Sequence, residues 1–179
     1  MTLSHAIVLV VGLALGATVA VILVLSRRGG DDEPPARRIL FPYIGSQLSI
    51  SALDAALRIA RAENATLVPA YLVEVPMAMS LDAPIARACG PAFELQEAIE
   101  QRAARAGIPV DGRIARGRSV RHALRDLLAD ERYDRLVVAA GTAHTDGLSA
   151  ADVAWLLEHA PGEVAVIRPT DPAALAAAG

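Results

Sequence analysis

Residues 136–169, LVVAAGTAHTDGLSAADVAWLLEHAPGEVAVIRP, constrain the fold more than any other stretch. An apolar run of strand length, 135–140, leads into a turn bearing Gly141 and Gly147. Ser149 then stands ahead of a helical pattern that puts Val153, Leu156, Leu157 and Ala160 on one face. Asp152, three residues after the capping serine, suits the positive N-terminal end of that helix. Pro161 and Gly162 stop the helix, and 164–167 is a second buried-strand run. A strand, a loop, a capped helix and another strand form the unit from which parallel sheets are built.

The same alternation runs through the preceding hundred residues. RILFPYI at 38–44 reads as a first strand, with Gly45 and Ser46 as its turn. Residues 49–64 form a helix with Ile50, Leu53, Leu57 and Ala60 on one face, and Ser51 with Asp54 gives a capping-box pattern. A second strand spans 67–73. Pro69 inside it removes a ladder donor and predicts a bulge or a locally unpaired position. A long loop, 74–90, carries Met77, Met79, Leu81 and Ile85, read as folding back on the domain, covering an opening, touching lipid headgroups or binding a partner. A helix over 91–106 buries Leu95, Ala98, Ile99 and Ala103 and ends at Gly107. A weaker third strand spans 108–115, and a helix over 119–130 buries Val120, Leu124, Leu127 and Leu128. Arg118, Arg121 and Arg125 make a basic edge there, either a solvated face or a site for an anion or acidic partner. The pattern predicts an α/β domain with a five-stranded parallel, doubly wound, Rossmann-like sheet. In such a sheet a ligand sits beyond the strands' carboxyl ends, here formed by 44–46, 71–75 and 141–147.

Composition removes several function classes. Hydrophobic residues make up 54% but aromatics only 3%, so the core is aliphatic and base-stacking platforms lack material. A net charge of -3 gives no nucleic-acid footprint. The single Cys89 excludes an intramolecular disulfide and a multi-cysteine zinc site. The four histidines lack metal spacing, and no catalytic residue is assigned, since Asp146 beside His144 in one loop is weak dyad geometry. The expectation is a protein that is not an enzyme and holds no metal.

The N-terminus adds a separate expectation. Residues 6–25 are twenty consecutive uncharged, mostly apolar positions, about the 30 Å needed to cross hydrocarbon. The n-region MTLSH carries no Lys or Arg, which favours a retained transmembrane helix at 1–26 over a cleaved signal peptide. Arg27, Arg28, Arg37 and Arg38 follow it, so the positive-inside rule predicts a single-pass protein of the inner, cytoplasmic membrane. The N-terminus would lie outside and the domain in the cytoplasm. Gly12 and Gly16 form a GxxxG pair suited to a helix contact in the bilayer. Residues 27–36 read as a linker.

Three segments together resemble the universal stress protein family. RILFPYIGSQLSISALDAALRIARAENATLVPAYLVEVP is similar to its opening strand, helix and second strand. YDRLVVAAGTAHTDG resembles its fourth strand and glycine turn, and HAPGEVAVIRP its closing helix end and last strand. The resemblance covers 37–169, leaving 170–179 as a tail. It implies the five-stranded fold and a homodimer through the last strand, with Val164 and Val166 at the interface. In nucleotide-binding members it also implies an Asp after the first strand and a Gly-x-x-Gly motif, with Gly and Ser or Thr further on. This chain has Ile44 at the Asp position and His144 at the second glycine, and Ala151-Asp152 lies nearest the Gly-Ser pair. An aspartate there repels phosphate. The apolar N-terminal run, the preserved core and the altered phosphate loop together lead to the expectation of a membrane-anchored binding or regulatory module, an accessory subunit of a membrane protein complex or transporter. It would have no cofactor and would not bind ATP in the family manner. The alternative is a stress sensor responding to ATP or AMP through a divergent pocket of Gly45, Ser46, Gly141, Thr142, His144 and Gly147.

Overall fold

The computed structural model describes residues 36–81, 86–141 and 147–168. Strand β1 is Arg38–Tyr43, β2 Thr66–Glu74, β3 Arg113–Gly117, β4 Arg135–Ala139 and β5 Glu163–Ile167. Helix α1 is Ile50–Ala62, α2 Ala86–Arg105, α3 Val120–Asp130 and α4 Ala150–His159. The sheet order is β3-β2-β1-β4-β5, and all four pairings are parallel. Strand order reverses between β1 and β4, which fixes the switch point of the sheet.

Both faces of the sheet are covered, and the period-two alternation of the strands shows how. Ile39, Phe41, Tyr43, Leu67, Tyr71 and Val137 pack with Leu53, Leu57, Ile99 and Ala103 of α1 and α2. Their neighbours Leu40, Val68, Leu72, Leu136 and Val138 pack with Leu124, Leu127, Val153 and Leu156 of α3 and α4. Successive strand side chains point to opposite faces, so the three inner strands read as continuous apolar runs.

Pro69 is accommodated without a bulge. Leu67 bridges Val110, and the ladder of β2 with β3 resumes at Ala70 opposite Arg113, three residues on in both strands. Leu67 donates to the Pro109 carbonyl and accepts from Asp111 N–H. The next donor toward β3 would be residue 69, and proline has none. The position is unpaired on that side while its register with Phe41 in β1 holds.

Several sequence boundaries shift. The cap of α1 is Ser49, whose Oγ accepts from Ala52 N at 3.4 Å. Asp54, expected in a capping box, instead binds Arg102 across to α2. Helix α2 starts at Ala86 rather than at Pro91, which shortens the preceding loop. Strand β3 lies at Arg113–Gly117, later than expected, because the chain before it meets β2 only through the bridge at Val110. Leu81 of the preceding loop packs on the core, and Met77 remains 82% exposed.

The inner-membrane location is corrected. Among the described residues, no helix is long and apolar enough to cross a membrane. The one 20-residue helix, α2, carries Glu94, Glu97, Glu100, Arg102 and Arg105, whose charges oppose transfer into hydrocarbon. Residues 6–25, with Gly12 and Gly16, lie outside the described residues.

Candidate functional site

The crevice beyond β1 and β4 is built from two turns and two helix starts. After β1, Ile44 packs its side chain against the α3/α4 core. Gly45 adopts φ 88°, a left-handed conformation that a side chain would strain. Its carbonyl accepts a hydrogen bond from Tyr71 Oη at 3.2 Å, and Ser46 is exposed.

After β4 the chain leaves and returns through a tight neck. Gly141 N–H donates to the Leu148 carbonyl at 2.8 Å, and Leu148 N–H to the Ala139 carbonyl at 2.9 Å. A Cβ on Gly147 would lie 2.6 Å from Gly141 N, and one on Gly141 would lie 2.8 Å from the Gly147 oxygen. Both glycines are therefore demanded by backbone meeting backbone. Thr142 and His144 lie outside the described residues.

The start of α4 satisfies itself. Ser149 is the N-cap, and its Oγ accepts from Asp152 N at 3.1 Å. The Asp152 carboxylate receives the Ser149 hydroxyl on one oxygen and Arg121 Nε, at 2.9 Å, on the other. A carboxylate thus stands in the first turn, where the helix end favours negative charge, and a guanidinium from α3 balances it. Helix α3 is similar. Ser119 caps it, and Glu74 Oε1 accepts from Val120 N at 3.0 Å. Arg118 turns away and binds the Pro76 and Met79 carbonyls at 2.6 and 2.8 Å, holding the loop after β2. Of the basic edge read from sequence, Arg118 and Arg121 are thus engaged within the protein. The Arg121–Asp152 pair joins residues 31 apart, and the signal that finds it is topological: α3 and α4 share one face.

A second concavity escaped the sequence. It is a cavity of about 240 Å³ between α2 and β3, floored by Tyr43 and Tyr71 and rimmed by Phe93 and Ile114. Tyr43 Oη donates to Gln96 Oε1 at 3.1 Å, and Gln96 Nε2 donates to Glu100 Oε1 at 2.9 Å. Burial first, then the neighbouring Tyr71 and Glu100, raises the Tyr43 phenol above its ordinary value, so the hydroxyl stays neutral. The in-register pairing of Tyr43 with Tyr71 would have placed them together once the strands were aligned.

At the far edge, β5 carries Val164, partly buried, and Val166, 39% exposed. Beyond β4, no described strand pairs with it.

The profile of the Universal stress protein family matches residues 35–168. The chain belongs to the universal stress protein family. A family member from Burkholderia pseudomallei is 25% identical, with a TM-score of 0.52 over 74% of this chain and 96% of that one. A universal stress protein in complex with cAMP is 20% identical, with a TM-score of 0.56 over 75% and 98%. A family protein from Arabidopsis thaliana with AMP bound is 15% identical, with a TM-score of 0.53 over 75% and 92%. The last two likenesses concern the fold alone. Among curated proteins, none matches the chain.

Proposed function

We propose that this universal stress family domain works as a binding module that associates with protein and does not take ATP in the family manner. The observation that carries this reading is Asp152. Its carboxylate holds the place at the start of α4 where a phosphate would meet helix N–H donors, already bonded to Ser149 and Arg121. Two unit negative charges about 4 Å apart repel by about 4 kcal/mol at an effective dielectric near 20. Arg121 lowers that figure but is itself committed to Asp152. Ile44, at the position of the family's Asp, adds no polar group, because its side chain joins the apolar core. The exposed edge of β5, with Val166 on it, is the surface we assign to a second copy of the chain. In this reading the module acts by association, without catalysis.

A second reading has a specific observation behind it: structures of the same fold hold cAMP and AMP. In that reading Gly45, Ser46, Gly141 and Gly147 would border a divergent nucleotide pocket. Calorimetric titration of the full chain with ATP, AMP and cAMP separates the two. Absence of saturable heat with all three agrees with the protein-binding reading. Saturable micromolar binding of any of them overturns it in favour of the sensor.

A further inference from the structure

The groove between α1 and α2 concentrates positive charge on a chain whose net charge is -3. Four arginines line it against one aspartate: Arg58 and Arg61 from α1, Arg102 and Arg105 from α2, and Asp54. Each arginine pair is spaced i, i+3, so both members of a pair lie on the same side of their helix. The groove is a shallow, solvent-open depression of about 350 Å³, with the buried Leu57 among its lining residues.

One of the four is fixed. Arg102 grips Asp54 with two hydrogen bonds, Nε to Oδ1 at 2.7 Å and Nη2 to Oδ2 at 2.9 Å. That fork neutralises the lone carboxylate and braces α1 against α2. Among the described residues, Arg58, Arg61 and Arg105 have no such partner, and all three are exposed.

A plainer account covers part of this. Arg61, Arg102 and Arg105 stand in the last turns of their helices, where cations favour the negative end of the helix. Each helix end amounts to about half a charge. Two such ends and Asp54 leave an excess of positive charge on the groove. Arg58, a turn further back, is not explained by the helix end at all.

We propose that this groove binds a small anion bearing two or more phosphate groups, with Arg58, Arg61 and Arg105 as its ligands and Arg102 as the fixed wall. Guanidinium forks match phosphate oxygens in a bidentate way. The arginines lie within a single turn on each of two adjacent helices, a short span that suits a compact anion better than an extended acidic peptide. The groove is formed by α1 and α2, whereas Asp152 and Arg121 belong to α4 and α3, so this site does not depend on what the switch-point crevice binds.

The test titrates the full chain with inorganic pyrophosphate at low salt, beside the double variant Arg58→Gln/Arg105→Gln and the single variant Arg121→Gln. The expected result is one saturable site in the parent and in Arg121→Gln, weakened at least about tenfold in the double variant, a difference of about 1.4 kcal/mol. Added salt should weaken it, since the groove is open to screening. Urea unfolding of each variant checks folding. Should the double variant not fold, Arg58→Lys/Arg105→Lys keeps the charges, removes the forks, and should still bind more weakly than the parent. No saturable binding, undiminished binding in the folded double variant, equal loss in Arg121→Gln, or tighter binding of hexaglutamate than of pyrophosphate would each overturn the proposal.

Discussion

Arg121 on α3 and Arg58 on α1 are both partly or largely exposed arginines on amphipathic surface helices, yet their surroundings are opposite. Arg121 meets Asp152 at 2.9 Å, and that carboxylate also serves the start of α4. Arg58, Arg61 and Arg105 face a groove whose single carboxylate is already held by Arg102. The first region is a place for an anion filled by the chain itself. The second is a place for an anion left open. What separates them is the local supply of carboxylates: Asp152 is there for Arg121, whereas the groove's Asp54 is already taken by Arg102.

That contrast can be pressed hardest at the filled end. Gly147→Ala forces a Cβ to within 2.6 Å of Gly141 N in the loop neck, so part of the backbone must move. Overpacking of this kind costs about 1–3 kcal/mol, and we expect the upper half of that range in urea unfolding. A negligible loss would mean that the neck is looser than described and that the crevice can remodel.

Asp152→Ala removes the first-turn carboxylate of α4 and the partner of Arg121. The expected loss of stability is about 1 kcal/mol. No loss would indicate that the pair is incidental, and the distinction between the filled and open regions would blur.

A matched arginine set at the opposite end of the sheet gives a pH test. Asp111 lies between Arg113 and Arg38, and both arginines also reach Glu131. Hydrogen bonds from Arg113 and then Arg38 hold the Asp111 carboxyl below its ordinary value. A lowered folded pKa means that the native state binds fewer protons than the unfolded chain as pH drops. The stabilisation is complete above the ordinary carboxylate value of about 3.9 and is lost as pH falls from there through the lower folded value. Asp111→Asn should therefore flatten the stability profile on the acid side below about pH 4. An unchanged acid limb would remove Asp111 from the matched class.

The smallest effect belongs to the open groove. Arg58→Gln should change stability by no more than about 0.5 kcal/mol, since no described partner is lost. A large loss would mean that Arg58 supports the fold, and the groove would then not be free to bind.

Much of the fold was legible because strand and helix periods are clean in this chain. Leu136, Val137 and Val138, a short apolar run between polar turns, read as an inner strand and form β4, and Ser149 with Asp152 marked the start of α4 correctly. The misses have physical causes. Strand β3 was displaced because Ile108 is a buried residue of the connection, whereas the strand itself begins at the charged Arg113. Asp54 looked like a capping residue because its long-range partner, Arg102, is 48 residues away. The candidate site was legible as loops at strand ends but not as a network. The glycines Gly141 and Gly147 suggested phosphate contact, while in the fold they press against each other. The arginine groove depends on two helices that only the completed sheet sets side by side.

The contrast itself can be measured in one experiment. In the full chain, arginine Nε–Hε resonances are followed by NMR while pyrophosphate is added at low salt. The account predicts saturable shifts for Arg58, Arg61 and Arg105, with Arg121 unmoved because Asp152 already holds it. Shifts at Arg121 with the groove arginines silent would contradict it.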